Sequence, residues 1–474
     1  MPKKSKETYT ENGLIYENEN KKVIVGYVKD YKFGSELIVP EGVEEIRASA
    51  FENFKNNSLS LILPSSLRKI DWNAFYAALF KDITIKEGIE EISHRAFYNS
   101  VVKTINLPDT VKSIGSEAFA SSQITNINIK NVENIGECAF EYSDLEEITV
   151  PNSVKSMGIS VFHNCSKLKT VNYYSDCDIT LDCFRSCREL ETFNISSKLK
   201  SIGSNAFYFT DKLKSFQIPE TTEIIFPGAF KCSGLKEIYI PSSVKEIRKE
   251  AFSPIINLRK IEFSPDGNLL LEDGAFLSNS VKELTIPPSI TSIGKHCFCQ
   301  CSKLETVYYH PSLTYVPEGC FRLSANLKFV FLSDDIDTIH EDAFSSTGIE
   351  EYTNNFSKIK VLYKEAFSYC KDLKNIIVGN NVELGSKVFA NCPNVELAYI
   401  GTDLIGYKIF GDLKEPALSH AKIYMPKCPG QKEFYPLQTE LTKEGAQELF
   451  NIVSLKQFSR ILKDINISGD ELPF

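Results

Sequence analysis

The chain has 474 residues, of which 42% are hydrophobic and 24% charged, the composition of a folded, soluble protein. Its formal net charge is −9 and its lysines are interspersed with carboxylates, so the sequence offers no basic stripe for a nucleic-acid backbone. No stretch approaches the roughly 20 consecutive apolar residues of a membrane helix, and no apolar core follows the first lysines as in a secretory signal. These features favour a cytoplasmic protein that neither binds nucleic acid nor inserts into a membrane.

Residues 1–40 contain three short apolar runs before any regular pattern begins. The runs are Gly13–Tyr16, Val23–Tyr27 and Leu37–Pro40, and their β-branched and aromatic residues predict strands. A repeat array needs a cap because its terminal apolar face would otherwise be exposed. We therefore predict an N-terminal β cap over residues 1–40.

From residue 41 onward, a small residue followed by phenylalanine recurs every 21 to 24 residues. The 17 phenylalanines are Phe51, Phe75, Phe97, Phe119, Phe140, Phe162, Phe184, Phe207, Phe230, Phe252, Phe276, Phe298, Phe321, Phe344, Phe367, Phe389 and Phe410. A fixed period of this length indicates a solenoid in which each repeat is one coil. We predict that these rings form a buried column along the solenoid.

A second position confirms the register, because an aliphatic residue or methionine stands five residues before every one of these phenylalanines. This set comprises Ile46, Ile70, Ile92, Ile114, Ile135, Met157, Ile179, Ile202, Ile225, Ile247, Leu271, Ile293, Val316, Ile339, Leu362, Leu384 and Ile405. A single coil cannot bury such residues alone, whereas stacked coils form one continuous core.

Between successive phenylalanines lies a short alternating run that often ends in proline. Leu145–Pro151, Leu235–Pro241 and Val281–Pro287 are examples. Alternation predicts a brief strand with one buried face, and proline is tolerated at a strand end because no ladder hydrogen bond is lost there. Strands of neighbouring coils should pair in parallel about 4.8 Å apart.

The pattern Ile-Gly-x-x-Ala-Phe, as at Ile114–Phe119 and Ile202–Phe207, resembles the BspA-like leucine-rich repeats. The resemblance covers about residues 40–425. It implies a leucine-rich-repeat superhelix with a parallel sheet on its concave face, and a role in adhesion or protein binding at the surface of bacteria or protists. It implies no catalytic residues. Together with the repeat, it predicts an α/β repeat solenoid of about 17 coils over residues 41–428.

Beyond the repeats the apolar spacing changes. Ala421–Pro426 looks like a final strand without its phenylalanine, and residues 442–464 carry apolar residues at helical spacing. Ser454 followed by Gln457 matches a capping box, which predicts two short helices that divide near Ser454. We expect a helical C-terminal cap over residues 429–474, with a partner-binding appendage as the alternative.

The densest chemical cluster is His296–Cys301, which contains Cys297, Cys299 and Cys301. The repeat accounts for two of these, since Cys297 precedes the repeat phenylalanine and Cys301 follows it by three residues, and buried free cysteine behaves as a small hydrophobe. The spacing is also unlike that of a structural zinc site. We therefore predict reduced thiols, no metal and no cofactor. No nucleophile elbow, phosphate loop or zinc-protease motif indicates an enzyme.

The central residue of each predicted strand should point out of the sheet, because its two neighbours point in. In the first half these residues are small and polar, among them Asn106, Asn128, Asn172 and Asn194. In the second half they include aromatic and aliphatic groups, which are typical of interface hot spots. The candidate ligand-binding residues, with one adjacent outward group, are Tyr239, Tyr308, Phe329, Phe331, Ile377 and Tyr399. Packing of these rings on one another, or coverage by the C-terminal segment, is the alternative.

Three functions remain open. The first is a non-enzymatic scaffold that binds a protein in adhesion or surface recognition, as the resemblance implies; the protein would then be secreted or at the cell surface. The second is an intracellular scaffold or regulator, which the absence of a signal sequence and the unpaired cysteines favour. The third is a glycan-binding or glycan-processing protein that uses the tyrosine-lined face.

Overall fold

The computed structural model describes residues 8–196, 198–352, 358–402, 409–411, 421–424 and 438–439. The chain divides into two compact units, Met1–Val244 and Lys245–Phe474. Both consist of parallel β-solenoid turns, about 16 in the described residues. The last of the 17 predicted coils falls largely on residues 403–420, of which only 409–411 are described.

Most turns of the first unit contribute a strand of two to four residues followed by a two-residue strand, and the strands of each kind lie in a row of their own. The long-strand row comprises β4 (Glu36–Ile38), β6 (Ser60–Leu63), β8 (Asp82–Ile85), β10 (Ile105–Asn106), β13 (Glu147–Val150), β15 (Thr170–Tyr173), β16 (Thr192–Ile195) and β19 (Glu237–Ile240). The short-strand row comprises β5 (Glu45–Ile46), β7 (Lys69–Ile70), β9 (Glu91–Ile92), β11 (Ser113–Ile114), β12 (Asn134–Ile135), β14 (Ser156–Met157), β17 (Ser201–Ile202) and β18 (Ile224–Ile225).

A three-stranded antiparallel β-meander closes the N-terminal end of the short-strand row. It has three strands, β1 (Tyr9–Glu11), β2 (Leu14–Tyr16) and β3 (Val23–Tyr27), of which β2 pairs antiparallel with both β1 and β3. Strand β3 then pairs in parallel with β5. The Tyr27 ring stacks on Phe51 with centroids 6.0 Å apart. Tyr27 thus occupies the place that a repeat phenylalanine would take in a preceding coil.

The second unit repeats this arrangement. Its long-strand row comprises β21 (Lys260–Phe263), β23 (Glu283–Ile286), β25 (Thr306–Tyr309), β27 (Phe329–Leu332), β29 (Glu351–Tyr352), β31 (Asn375–Val378), β33 (Leu397–Ile400), β34 (Lys422–Tyr424) and β35 (Gln438–Thr439). Its short-strand row comprises β20 (Glu246–Ile247), β22 (Leu269–Leu271), β24 (Ile290–Ile293), β26 (Tyr315–Val316), β28 (Thr338–Ile339), β30 (Val361–Leu362) and β32 (Glu383–Leu384). The parallel row continues through β34, the predicted final strand, to β35.

The predicted phenylalanine column is confirmed in each unit. All 17 repeat phenylalanines are at most 4% exposed. In the first unit their rings stack nearly parallel from Phe51 to Phe230, with centroids 4.9 Å apart between Phe75 and Phe97 and 5.6 Å apart between Phe184 and Phe207. In the second unit the column runs from Phe252 to Phe410, and its last pair is tilted by 30°.

The second repeated position is also buried, with one partial exception. Ile46, Ile70 and Ile92 are fully buried, and the same slot remains buried as far as Leu384. Met157 is only half-buried, and Ile405 lies outside the described residues. The core of each unit therefore consists of a column of phenylalanine rings flanked by a column of aliphatic side chains. Each coil contributes one residue to each column.

The turns around each phenylalanine correct the α/β prediction, because no helix occurs in the described part of the chain. In most coils the residues two before and two after the phenylalanine have positive φ, as at Arg95 (55°) and Asn99 (55°). Such left-handed residues interrupt an α-helix. Each coil therefore returns through tight turns, and the protein is a β-solenoid.

Glycine after the aliphatic residue marks a place where successive coils approach closely. A Cβ added at Gly136 would lie 2.4 Å from the backbone nitrogen of Ser116 in the preceding coil. Contacts that short do not occur between a real Cβ and backbone, so the glycine is a packing requirement.

The helices predicted over residues 442–464, and with them the helical cap, lie outside the described residues. Within the part of the chain that is described, no helix is long and apolar enough to cross a membrane.

Replacing Phe207 by alanine should lower the free energy of unfolding by about 3–5 kcal/mol, because a fully buried ring is lost and the coils on either side cannot close the cavity. Denaturant unfolding followed by circular dichroism measures this effect. The exposed Gln217→Ala serves as control and should change little. An unfolding midpoint that is the same in Phe207→Ala and the wild type would contradict the buried column.

Replacing Gly136 by alanine should cost about 1–3 kcal/mol through overpacking between two coils. The matched control is Gly34→Ala, since nothing lies within 4 Å of a Cβ built at Gly34. Thermal melting should show a lower midpoint for the first variant alone. Equal midpoints would show that the coils separate easily and that their close approach is not a constraint.

Candidate functional site

The predicted binding residues belong to the long-strand row, in which most strands alternate between buried and more exposed side chains. In β19, Ile238 and Ile240 are 3% and 1% exposed, whereas Tyr239 between them is 48% exposed. The alternation follows from the two-residue period of a strand. The prediction that the central residue faces outward is therefore confirmed for Tyr239.

Three of the predicted residues form a continuous group in the second unit, which we call the aromatic patch: Tyr308, Phe329 and Phe331. Tyr308 on β25 and Phe331 on β27 are register partners, and their rings stack with centroids 5.1 Å apart at an angle of 12°. Phe329 lies on the same face of β27, two residues before Phe331. Ring packing and exposure thus occur together, since Phe329 is 55% and Phe331 39% exposed.

Charged residues border the aromatic patch where its strands begin. Lys328 donates a hydrogen bond to Glu350 at 2.9 Å, and Lys282 lies 3.6 Å from Glu305. The hydrogen bond raises the pKa of Lys328 and lowers that of Glu350. All four side chains are exposed, so these pairs contribute little to stability. They give the patch the polar rim that is typical of interfaces.

The other two predicted residues of the second unit are not part of this group. Ile377 is half-buried on β31, which belongs to a different sheet from β27. The expectation that Tyr399 is exposed is wrong, because Tyr399 is only 4% exposed. All four residues of β33 are buried, and the Tyr399 ring lies over the backbone of Gly401, where an added Cβ would be 3.1 Å from Cε1. Leu397, the other residue of β33 that should face outward, is also buried, at 5% exposed.

In the first unit, the polar central residues bond to one another across the coils. Asn194 donates through Nδ2 to Asn172 Oδ1 at 2.8 Å, and Asn172 donates to Thr149 Oγ1 at 3.4 Å. Asn106 makes the same kind of contact with Thr84 at 3.3 Å. These side chains partly satisfy one another, which leaves fewer donors and acceptors for a ligand.

The sequence did not indicate a polar groove of about 350 Å³ beside this ladder. Thr125, Asn126, Glu146, Glu147, Lys169 and Thr170 line it. Asn126 Nδ2 donates to Glu147 Oε1 at 3.3 Å across the groove. Glu147 and Thr170 start their strands and the other four residues lie outside strands, so the pattern of strand centres did not reveal the groove.

A second exposed set that the sequence reasoning missed lies two residues after the repeat phenylalanines. Tyr142, Leu323 and Tyr369 in this position are 52%, 43% and 56% exposed. The sequence could have indicated this set, because each of its members follows a repeat phenylalanine by two residues. The positive φ of these residues turns the side chain away from the core.

The cysteines of the densest cluster are buried. Cys297 and Cys301 are fully covered, and Cys299 is 5% exposed beside Arg322. Burial raises the pKa of the Cys301 thiol to about 12 and raises those of Cys297 and Cys299 as well. The described cysteines carry free thiols. Among the described residues, no three histidine, cysteine or acidic side chains come close enough to hold a metal ion.

The family model described as "BspA type Leucine rich repeat region (6 copies)" matches residues 30–145, 68–181, 174–273 and 269–396. No curated protein sequence matches significantly. Among solved structures, a leucine-rich repeat protein from Bacteroides ovatus is 22% identical, with 82% of this chain and 91% of that chain covered and a TM-score of 0.52. A leucine-rich cell surface protein from Faecalibacterium prausnitzii is 19% identical over 85% and 95% of the two chains, with a TM-score of 0.34. The similarity to the first of these supports the solenoid fold.

The buried thiols should be reduced, metal-free and slow to react in the folded state, because burial limits the access of reagents and disfavours the thiolate. Ellman's reagent should modify the buried cysteines slowly in the native protein and rapidly after unfolding in guanidinium, and elemental analysis should find no stoichiometric zinc. Zinc that is present at one equivalent and lost in Cys299→Ser would overturn this prediction, since the repeat does not explain Cys299.

Proposed function

The chain belongs to the BspA-type leucine-rich repeat family, and on that premise we propose that it is a non-enzymatic scaffold that binds a protein partner through the exposed face of its long-strand row. The aromatic patch is the observation that carries this proposal. Two neighbouring strands there present Tyr308, Phe329 and Phe331 on one face, although the fold needs only the buried alternate residues.

Exposed aromatic rings on a rigid sheet suit protein recognition for two reasons. Large rings bury much apolar area and lose little conformational entropy when they are ordered. The stacked pair Tyr308 and Phe331 is already ordered, because each ring restricts the other. A partner would therefore gain apolar contact at a small entropic cost, and the rim pairs of Lys328 and Lys282 would set its orientation.

We further propose that this recognition takes place at a cell surface. The support is family membership, since BspA-type repeats resemble those of surface proteins of bacteria and protists. An intracellular scaffold is the competing assignment. Immunodetection of the protein in surface, secreted and cytoplasmic fractions distinguishes the two: recovery in the cytoplasmic fraction alone would contradict the surface assignment and leave the binding proposal standing.

The double change Tyr308→Ala and Phe331→Ala should abolish partner binding and leave the melting temperature nearly unchanged, because both rings lie on the outer face of the sheet. Affinity purification from native and host lysates identifies partners, and surface plasmon resonance with a purified partner then measures the loss of affinity. The matched control is Asn128→Ala with Asn172→Ala on the polar face, which should bind as the wild type does.

Three outcomes would contradict the proposal. If the aromatic double variant loses several kcal/mol of stability, the rings are structural. If it remains fully folded and binds its partner with unchanged affinity, the partner contacts another surface. Binding that weakens equally in the polar control would also exclude a specific role for the aromatic patch.

A further inference from the structure

The two rows of the first unit end differently at the N-terminus. In the short-strand row, the β-meander β1–β3 extends the sheet beyond β5, and Tyr27 covers the end of the phenylalanine column. In the long-strand row, β4 is the terminal strand, and among the described residues it pairs only with β6. One half of the first coil is therefore capped, and the other half ends in an open edge.

The backbone bonds of β4 show which of its groups face that edge. Ser60 N–H donates to Ser35 C=O at 3.0 Å, and Val39 N–H donates to Ile62 C=O at 2.9 Å. In a strand, the N–H and C=O of alternate residues point to opposite sides. The backbone N–H and C=O groups of Ser35, Leu37 and Val39 therefore point towards β6. Those of Glu36 and Ile38 point away from it.

The side chains of the edge are open as well. Glu36 is exposed, Ile38 is 59% exposed, and nearby Tyr31 is 44% exposed. Leu37 and Val39 face the core and are buried. Glu36–Ile38 contains no proline, bulge or inward-pointing charge, so its outward backbone groups can pair, although the edge is only three residues long and Pro40 limits its extension.

We propose that β4 is a docking edge for an extended peptide of a partner protein, which adds as a parallel strand. The peptide residue opposite Leu37 would accept a hydrogen bond from Ile38 N–H and donate one to Glu36 C=O. Two further bonds, to Glu36 N–H and Ile38 C=O, would come from the peptide residues two positions before and two positions after it. Such strand addition is a known mode of peptide recognition.

The exposed side chains select the chemistry of the peptide. A residue opposite Glu36 would lie about 4.8 Å away on the same face and would be favourable if it were basic. A residue opposite Ile38 would extend the apolar pair that Ile38 already forms with its register partner Ile62. The edge therefore fits an extended segment with a basic residue, any small residue and then an aliphatic residue.

This docking edge is independent of the aromatic patch, because it uses backbone groups of a different unit. It can be tested with a fluorescein-labelled peptide, Ser-Ser-Lys-Ala-Val-Ser-Ser, by fluorescence anisotropy with the full-length protein. The wild type should bind it, and hydrogen exchange of the Ile38 amide should slow when the peptide is present.

The sharpest control is the same peptide with an N-methyl group on the alanine, which keeps its charge and side chains but removes one donor. Its binding should be at least about tenfold weaker. Ile38→Pro removes the outward N–H of β4 and should weaken binding by a similar factor without loss of the fold, since that N–H makes no bond within the sheet. Val39→Pro removes the bond to Ile62 and should destabilise the protein.

The proposal would be overturned if the wild type does not bind the peptide. It would equally be overturned if the N-methylated peptide binds as well as the parent peptide, because attraction between lysine and an acidic protein would then explain the signal. A folded Ile38→Pro variant with full affinity would show that binding occurs elsewhere. If that variant does not fold, the comparison of the N-methylated peptide with the parent peptide decides whether β4 is the docking edge.

Discussion

Hydrogen bonds between the turns of successive coils are the constraint on which the rest of the structure depends. Around Phe97, the amides of Arg95, Phe97 and Asn99 donate to carbonyls of the next coil at 3.0, 2.8 and 2.8 Å. This ladder uses alternate residues, as a strand does, although φ at Arg95 and Asn99 is left-handed. It fixes the distance between coils, and the Phe97 and Phe119 rings stack at nearly that distance, 5.3 Å between centroids. A different coil spacing would either break these backbone hydrogen bonds or disturb the stacking of the rings.

The same ladder determines what the neighbouring positions tolerate. Left-handed backbone costs a residue other than glycine about 1 kcal/mol or more, and the hydrogen bonds to the next coil offset that cost. Three residues after the phenylalanine, a small buried residue donates a hydrogen bond to the carbonyl of a repeat phenylalanine, either in its own coil or in the preceding one. Thr210 Oγ1 donates to Phe207 C=O of its own coil at 2.8 Å, whereas Cys187 Sγ donates to Phe162 C=O of the preceding coil at 3.1 Å. Several cysteines thus serve as buried hydrogen-bond donors, which explains their abundance in a chain whose described thiols are unpaired.

Much of the fold could be predicted from the sequence because the core repeats in register. Phe51 and Ile46 mark the same two slots that recur as far as Phe389 and Leu384, and both columns are buried. The left-handed turns could not be predicted, because residues as different as Arg95 and Phe209 occupy them. Without that information, the segments around each phenylalanine were compatible with the short helices of an α/β class.

The candidate site was predictable only where it depends on strand alternation. Tyr239 and Phe331 are exposed because their neighbours in the strand are buried. Tyr399 occupies the same central position yet is buried together with all of β33, which the period of the strand does not predict. The open edge of β4 was equally hidden, since Leu37–Pro40 was assigned to the cap, whereas β4 is the first long strand of the solenoid.

Amide hydrogen exchange tests the central role of the turn ladder most directly. If the bonds between coils hold the solenoid together, the amides of Arg95, Phe97 and Asn99 should be protected as strongly as those of β8, although they lie in turns. The exposed loop at Gly34 gives the reference rate of an unprotected amide in the same unit. Exchange at Phe97 as fast as at Gly34 would contradict the account, because the coils would then be joined only by their strands and side chains.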